Sequence, residues 1–166
     1  MTSDEIRALQ REEITAFLLS IEWAGRVLDF GCDIAPYRGI VQRGGGWWHG
    51  YNRVSFPSGH KREDVGPDEP LAEQWDMILC TQVLQYVAYP AELLRCFAAV
   101  ADTLVLTYAT NWPEVESEDL FRCTRSGMEQ LLAATGWTVD RHEPLGTIPF
   151  GDREEIALGY GIVARS

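Results

Sequence analysis

Apolar residues recur along this chain with two different periods. Between residues 4 and 23, Ile6, Leu9, Ile14, Phe17, Leu18 and Ile21 fall at roughly helical spacing with acids and arginines between them. That spacing predicts an amphipathic helix, and Gly25 closes it. "RVLDF" (26–30) is instead a short apolar run, long enough for a buried strand. A helical segment over 36–42 follows, stopped by "RGGG". "WWHGYNRV" (47–54) predicts a second strand, in which neighbouring Trp47 and Trp48 point to opposite faces, one to the core and one outward. "SFPSGHK" reads as a loop and "REDVG" as a short third strand. "WDMILC" (75–80) is a strand, "PAELLRCFAAV" (90–100) a helix with proline at its start, and "TLVLTYA" (103–109) a strand. "TRSGMEQLLAATG" (124–136) has a Thr or Ser cap and a closing glycine. "WTVDRHE" and "EIALGYGIVAR" are two final strands with no helix between them.

Alternating strands and helices predict an α/β domain with a mostly parallel sheet and helices on both faces. The terminal pair predicts an antiparallel edge. A length of 166 residues suits one core, and no linker, repeat or low-complexity tract divides residues 1–166. Residues 1–24 form the N-terminal helix that packs on or caps that core.

Composition narrows the function classes. No apolar run approaches the roughly 18 residues of a membrane span, and the charged N-terminus has no apolar stretch of a secretory signal. Cys32, Cys80, Cys96 and Cys123 form no C-x-x-C pair, so cytoplasmic free thiols are expected. His49, His60 and His142 lack metal-ligand spacing, and no metal is expected. The net charge of −11 removes the basic footprint of a nucleic-acid binder. It favours a small cationic ligand, and equally it keeps a surface soluble.

In such sheets ligands sit beyond the carboxyl ends of the strands. Asp29, Gly31, Asp33 and Ala35 follow the first strand there, Asn52 and Arg53 the second, and Asp64 the third. Thr81 and Gln82 follow the fourth, and Thr110, Asn111 and Trp112 the fifth. The turn after the first strand matches neither G-x-G-x-x-G nor the P-loop.

What it does resemble is the first motif of class I S-adenosylmethionine-dependent methyltransferases. "VLDFGCDIAPYRG", "HGYN", "WDMILCTQVLQYV", "TLVLTYATNW" and "DLFRCTRSGMEQLLAATGW" look like successive motifs of that family, in order, over about residues 24–142. They are similar to a branch whose turn is followed by Pro-Tyr-Arg. The resemblance implies a Rossmann-like seven-stranded sheet, mostly parallel with an antiparallel terminal strand. It implies S-adenosylmethionine as cofactor and methyl transfer to a small-molecule acceptor. Gly31 would then let the backbone approach the methionyl part, and Asp29 would fix the loop and meet the amino group through water. Asn52 stands at the ribose position, Asp64 and Val65 near the adenine, and Thr81 and Gln82 on the sulfonium side. Tyr86 and His49 are candidates for a general base. Trp112 and Arg122 flank an acidic loop that would cover the acceptor.

The chain also departs from the family. Asp33 replaces a glycine, Asn52 an acid, and Gln85 and Tyr86 a common Glu-His pair. The usual basic Pro-Gly-Gly turn before the fifth strand is missing. Each site residue has a plainer reading: Asp29 as a brace for the turn, Asn52 as a turn residue, Asp64 as a solvated acid. Two further functions stay open: a fold with an impaired loop serving as scaffold or regulatory partner, and another reaction on the same fold. With no inserted cap domain, the acceptor pocket needs the N-terminal helix, the 111–122 loop, or a second subunit. A homodimer or a protein partner follows from the last of these.

Overall fold

The computed structural model describes residues 2–52, 70–111, 120–150 and 153–166. Its first element, α1 (Ser3–Leu19), opens with a capping box, in which Thr2 and Glu5 satisfy each other's backbone N–H. It ends earlier than the apolar spacing predicts. Ser20 caps it by bonding Phe17 O through its hydroxyl, and Trp23 turns back to donate to Leu18 O.

Five further strands and three helices follow β1 (Arg26–Phe30): α2 (Arg38–Arg43), β2 (Trp47–Tyr51), β3 (Trp75–Thr81), α3 (Pro90–Val100), β4 (Ala101–Ala109), α4 (Arg125–Ala133), β5 (Thr138–Phe150) and β6 (Arg153–Arg165). The sheet order is β2-β1-β3-β4-β6-β5. β1 to β4 run parallel, and β6 runs antiparallel to both of its neighbours.

One expectation is corrected here. The sheet has six strands among the described residues, not seven, because the third candidate, "REDVG", lies outside them. The terminal pair does form the antiparallel edge, with β6 lying between β4 and β5. Glycine makes that insertion fit. A Cβ on Gly159 would strike Tyr108 O, and one on Gly161 would meet the Phe17 ring at 2.9 Å.

Strand alternation builds two cores. Leu28, Ile78, Cys80, Leu104, Leu106 and Tyr108 face α3 and α4, with Phe97, Met128 and Leu132. Val27, Met77, Leu79 and Val105 face α1 and α2, with Phe17, Leu18, Ile40 and Val41. Being covered on both faces is why these strands read as continuous apolar runs. Trp48 is buried and Trp47 is exposed, as the alternation requires. Among the described residues, no helix is long and apolar enough to cross a membrane.

Candidate functional site

The carboxyl ends of β1, β2, β3 and β4 lie side by side, with Asp29 opposite Gly50 on one side and Leu79 on the other. Asp29 is fully buried. Trp48 Nε1 donates to its Oδ2 at 3.0 Å, and no partner for Oδ1 exists among the described residues. Burial pushes the Asp29 carboxyl up to about 7, opposed by the Trp48 bond. Burial, and then the charge of Asp29, raise the neighbouring Cys32 thiol to about 12.

The Trp48 bond depends on Gly50, two residues along the same strand face. A Cβ there would collide with the indole and sit 2.9 Å from Cys32 Sγ. The Arg38 guanidinium lies over the same indole, 5.0 Å from the ring centre. Trp48 and Gly50 were not site candidates in the sequence. The available signal was register: parallel strands of equal length set "WWHGY" against "RVLDF".

The turn after β1 is built in left-handed backbone. φ is +80° at Gly31, +46° at Asp33 and +55° at Ala35. The Gly31 and Cys32 N–H groups both donate to Tyr51 O, at 2.7 and 3.1 Å, and Ala35 N–H donates to Cys32 O at 2.7 Å. Gly31 is required twice, by its φ and because a Cβ would run into Val83 Cγ2. Aspartate tolerates the left-handed region better than alanine does. Ala35→Gly is therefore expected to raise unfolding free energy by roughly 1 kcal/mol, read from urea midpoints at constant m. An unchanged midpoint would mean that Ala35 carries no strain.

The remaining candidates divide by place. Asn52 directly follows the Tyr51 carbonyl that holds the turn, and its side-chain Oδ1 is buried with no partner among the described residues. Thr81 ends β3, half-buried. Gln82, at φ +55°, is tied sideways to β4: its N–H donates to Thr107 O and its Nε2 to Thr107 Oγ1 at 3.3 Å. Tyr86 is half-buried in the short turn Leu84–Tyr86. Gln85 beside it is buried, with Oε1 unpartnered among the described residues. Its backbone O accepts from Leu120 N at 2.6 Å and Phe121 N at 3.2 Å, pinning the segment that bears half-buried Arg122.

His49 is not brought to this group. Its ring stacks edge-on against Trp75, which opens β3, so it lies toward the amino ends. Burial and then Arg26 lower its pKa. Asp64, Val65 and Trp112 lie outside the described residues. A cavity of about 530 Å³ also opens at the amino ends, lined by Met77, Thr103 and Asp140 among others, and shares no residue with this group. No cluster of His, Cys, Asp and Glu suited to a metal occurs among the described residues.

The carboxyl-end group thus offers a buried carboxylate oxygen and a buried amide oxygen, both seeking donors, beside a turn of fixed shape. An ammonium and a hydroxyl are groups that would satisfy them. No family model and no curated protein matches the chain. Solved structures do. One is 1,6-didemethyltoxoflavin-N1-methyltransferase from Burkholderia thailandensis with 1,6-didemethyltoxoflavin and S-adenosylhomocysteine bound. It is 17% identical with a TM-score of 0.66, over 95% of this chain and 78% of that one. A second is a putative methyltransferase in complex with the Trm112 activator of Haloferax volcanii, 16% identical with a TM-score of 0.66, covering 99% and 97%. A third is the mitomycin 7-O-methyltransferase MmcR, 14% identical with a TM-score of 0.65; this chain, at 93% coverage, spans only 53% of it. At these identities the likeness is one of architecture, and the chain has the Rossmann-like fold of S-adenosylmethionine-dependent methyltransferases.

Proposed function

We propose that this chain is an S-adenosylmethionine-dependent methyltransferase acting on a small-molecule acceptor. The observation that carries the reading is Asp29: a fully buried carboxylate with one oxygen unpartnered among the described residues, beside the left-handed turn at the carboxyl end of β1. When bound, S-adenosylmethionine supplies an electrophilic methyl group on a sulfonium. Asp29 Oδ1 would take the ligand's amino group, directly or through water, and Asn52 Oδ1 a ribose hydroxyl. Asp64 and Val65 would meet the adenine, and Thr81 and Gln82 the sulfonium side. Asp33, where the family prefers glycine, fits the left-handed turn, which favours a working loop over an impaired scaffold. Much of the rate would come from holding two reactants in line.

Calorimetric titration with S-adenosylmethionine and S-adenosylhomocysteine tests the reading. Saturable micromolar binding supports it, and no binding at millimolar ligand removes it. Asn52→Asp is expected to tighten binding by on the order of 1 kcal/mol, since a carboxylate grips two hydroxyls with charge assistance. An unchanged dissociation constant in the folded variant would take the ribose away from Asn52.

The acceptor pocket draws its walls from α1, from segment 111–122 with Trp112 and Arg122, or from a partner. The Haloferax neighbour, solved with a protein activator, makes a protein partner the reading to set beside a second copy of this chain. Hydrogen exchange is expected to show 111–122 protected by saturating S-adenosylhomocysteine. Identical exchange with and without it would exclude the segment as a cover.

A further inference from the structure

One covered donor outside the β1 turn lacks an acceptor. Gln10 of α1 is half-buried, and its Nε2 is buried with no partner among the described residues. Its neighbours fix where it faces. Gln10 precedes Ile14 by one helical turn and Phe17 by two, both 2% exposed, so it continues the stripe that α1 turns to the sheet. On one flank, a Cβ built on Gly146 of β5 would lie 3.6 Å from Leu9 and 3.8 Å from Glu13. On the other flank Arg11 acts on Tyr37, the residue that opens α2: burial and then the charge of Asp29 raise the Tyr37 pKa, and Arg11 opposes them. Gln10 therefore faces the strands between β5 on one side and β2, which α2 touches, on the other. Its level is that of the carboxyl ends. Gly146 follows Leu145, which pairs through Gly159 with Ala109, the last residue of β4.

Asp29 lies on the same side of the sheet, two residues after Val27 of the core under α1 and α2. Two unmet groups of opposite kind thus share one face at one end: an acceptor on β1 and a donor on α1. A zwitterionic α-amino acid head carries the complementary pair, an ammonium and a carboxylate. We infer that Asp29 and Gln10 hold the two ends of the ligand's methionyl head, Asp29 Oδ1 the ammonium and Gln10 Nε2 the carboxylate. The inference rests on the methyltransferase reading and adds the carboxylate's partner to it.

The β1 turn is poorly supplied to take that carboxylate itself. Its Gly31 and Cys32 N–H groups are committed to Tyr51 O, and its Ala35 N–H to Cys32 O. Gln82 gives both its N–H and its Nε2 to Thr107. Asp29 and Asp33 place negative charge on the β1 side, while Arg11 places positive charge on the α1 side. A carboxylate is turned by that field away from β1 and toward the helix. The terminal torsion of glutamine is broad, so the amide can swing onto a ligand without moving α1. Gln10 is a binding residue in this scheme and takes no part in the methyl transfer.

Calorimetry with S-adenosylhomocysteine and with its decarboxylated form, which keeps the ammonium and lacks the carboxylate, tests the pairing. Gln10→Ala is expected to weaken S-adenosylhomocysteine binding by about tenfold and to leave the affinity for the decarboxylated ligand unchanged. Asp29→Asn is expected to weaken both. Alanine suits a helix interior, so the variant keeps α1. Gln10→Glu, of the same size, sets a carboxylate against the ligand's own and is expected to weaken S-adenosylhomocysteine binding further, with no loss for the decarboxylated form. Equal losses for the two ligands, or no loss for either, overturn the role of Gln10. Wild-type protein that binds neither ligand at millimolar concentration removes the methyltransferase reading and this inference with it. Wild-type binding with equal losses in the Gln10 variants removes the inference alone.

Discussion

Asp29→Asn is expected to stabilise the empty protein at pH 8 and to weaken S-adenosylmethionine binding at the same pH. The sign follows from burial. The Asp29 carboxyl titrates at 3.8 in the unfolded chain and near 7 in the folded one, because burial disfavours the charge more than the Trp48 bond supports it. Below 3.8 both states hold the proton and the group contributes nothing differential. Between the two values only the folded state keeps it, so stability falls as pH rises, and the whole penalty is in place above 7. That penalty is on the order of 4 kcal/mol. Asparagine removes the charge and still accepts from Trp48, but it leaves an amide donor where Oδ1 lacks a partner, which returns about 1–3 kcal/mol. The net expectation is a gain of roughly 1–3 kcal/mol at pH 8 that reverses to a loss of about 1–3 kcal/mol toward pH 4, measured by urea unfolding across pH. Binding is expected to weaken by about 1.5–3 kcal/mol through loss of the charged partner. If Asp29 only braces the turn, the variant loses stability at pH 8 and binding follows folding, the opposite pair of results.

Gly31→Ala is expected to lower stability by about 2–4 kcal/mol, from left-handed strain and from collision with Val83. These two contributions can be separated. Val83→Ala removes the collision and leaves φ at +80°, so the double variant should recover part of the loss and no more. A double-mutant cycle by chemical denaturation reads the coupling, expected near 1–2 kcal/mol. Additive values would mean that the alanine methyl is accommodated by a shift of the turn.

Local pattern carried the element boundaries where neighbours in sequence decide them. Pro90–Val100 is a helix over the predicted span because proline opens it and one face is apolar. α1 was read too long because Ile21 and Trp23 keep the helical spacing after Ser20 has capped the helix. Across the sheet the pattern is silent. "WTVDRHE" and "EIALGYGIVAR" announce two strands, but nothing local says that the later one enters between β4 and β5. Asp29 and Asn52 stood out by position after their strands. That each has an unpartnered oxygen among the described residues depends on contacts from other elements. The left-handed Gln82 carries no glycine to mark it.

The placement of β6 bears on how the chain is made. β6 is the last of the described strands to leave the ribosome, yet it fills an interior slot. Until it arrives, β4 presents a row of open backbone N–H and C=O groups along an apolar strand, and β5 has no described strand to pair with. An unpaired apolar strand of that kind is a template for foreign pairing. Since every copy carries the same β6, a neighbouring nascent chain can supply the missing strand as well as the chain's own. Docking of β6 is therefore the step that covers this edge and completes the sheet among the described residues.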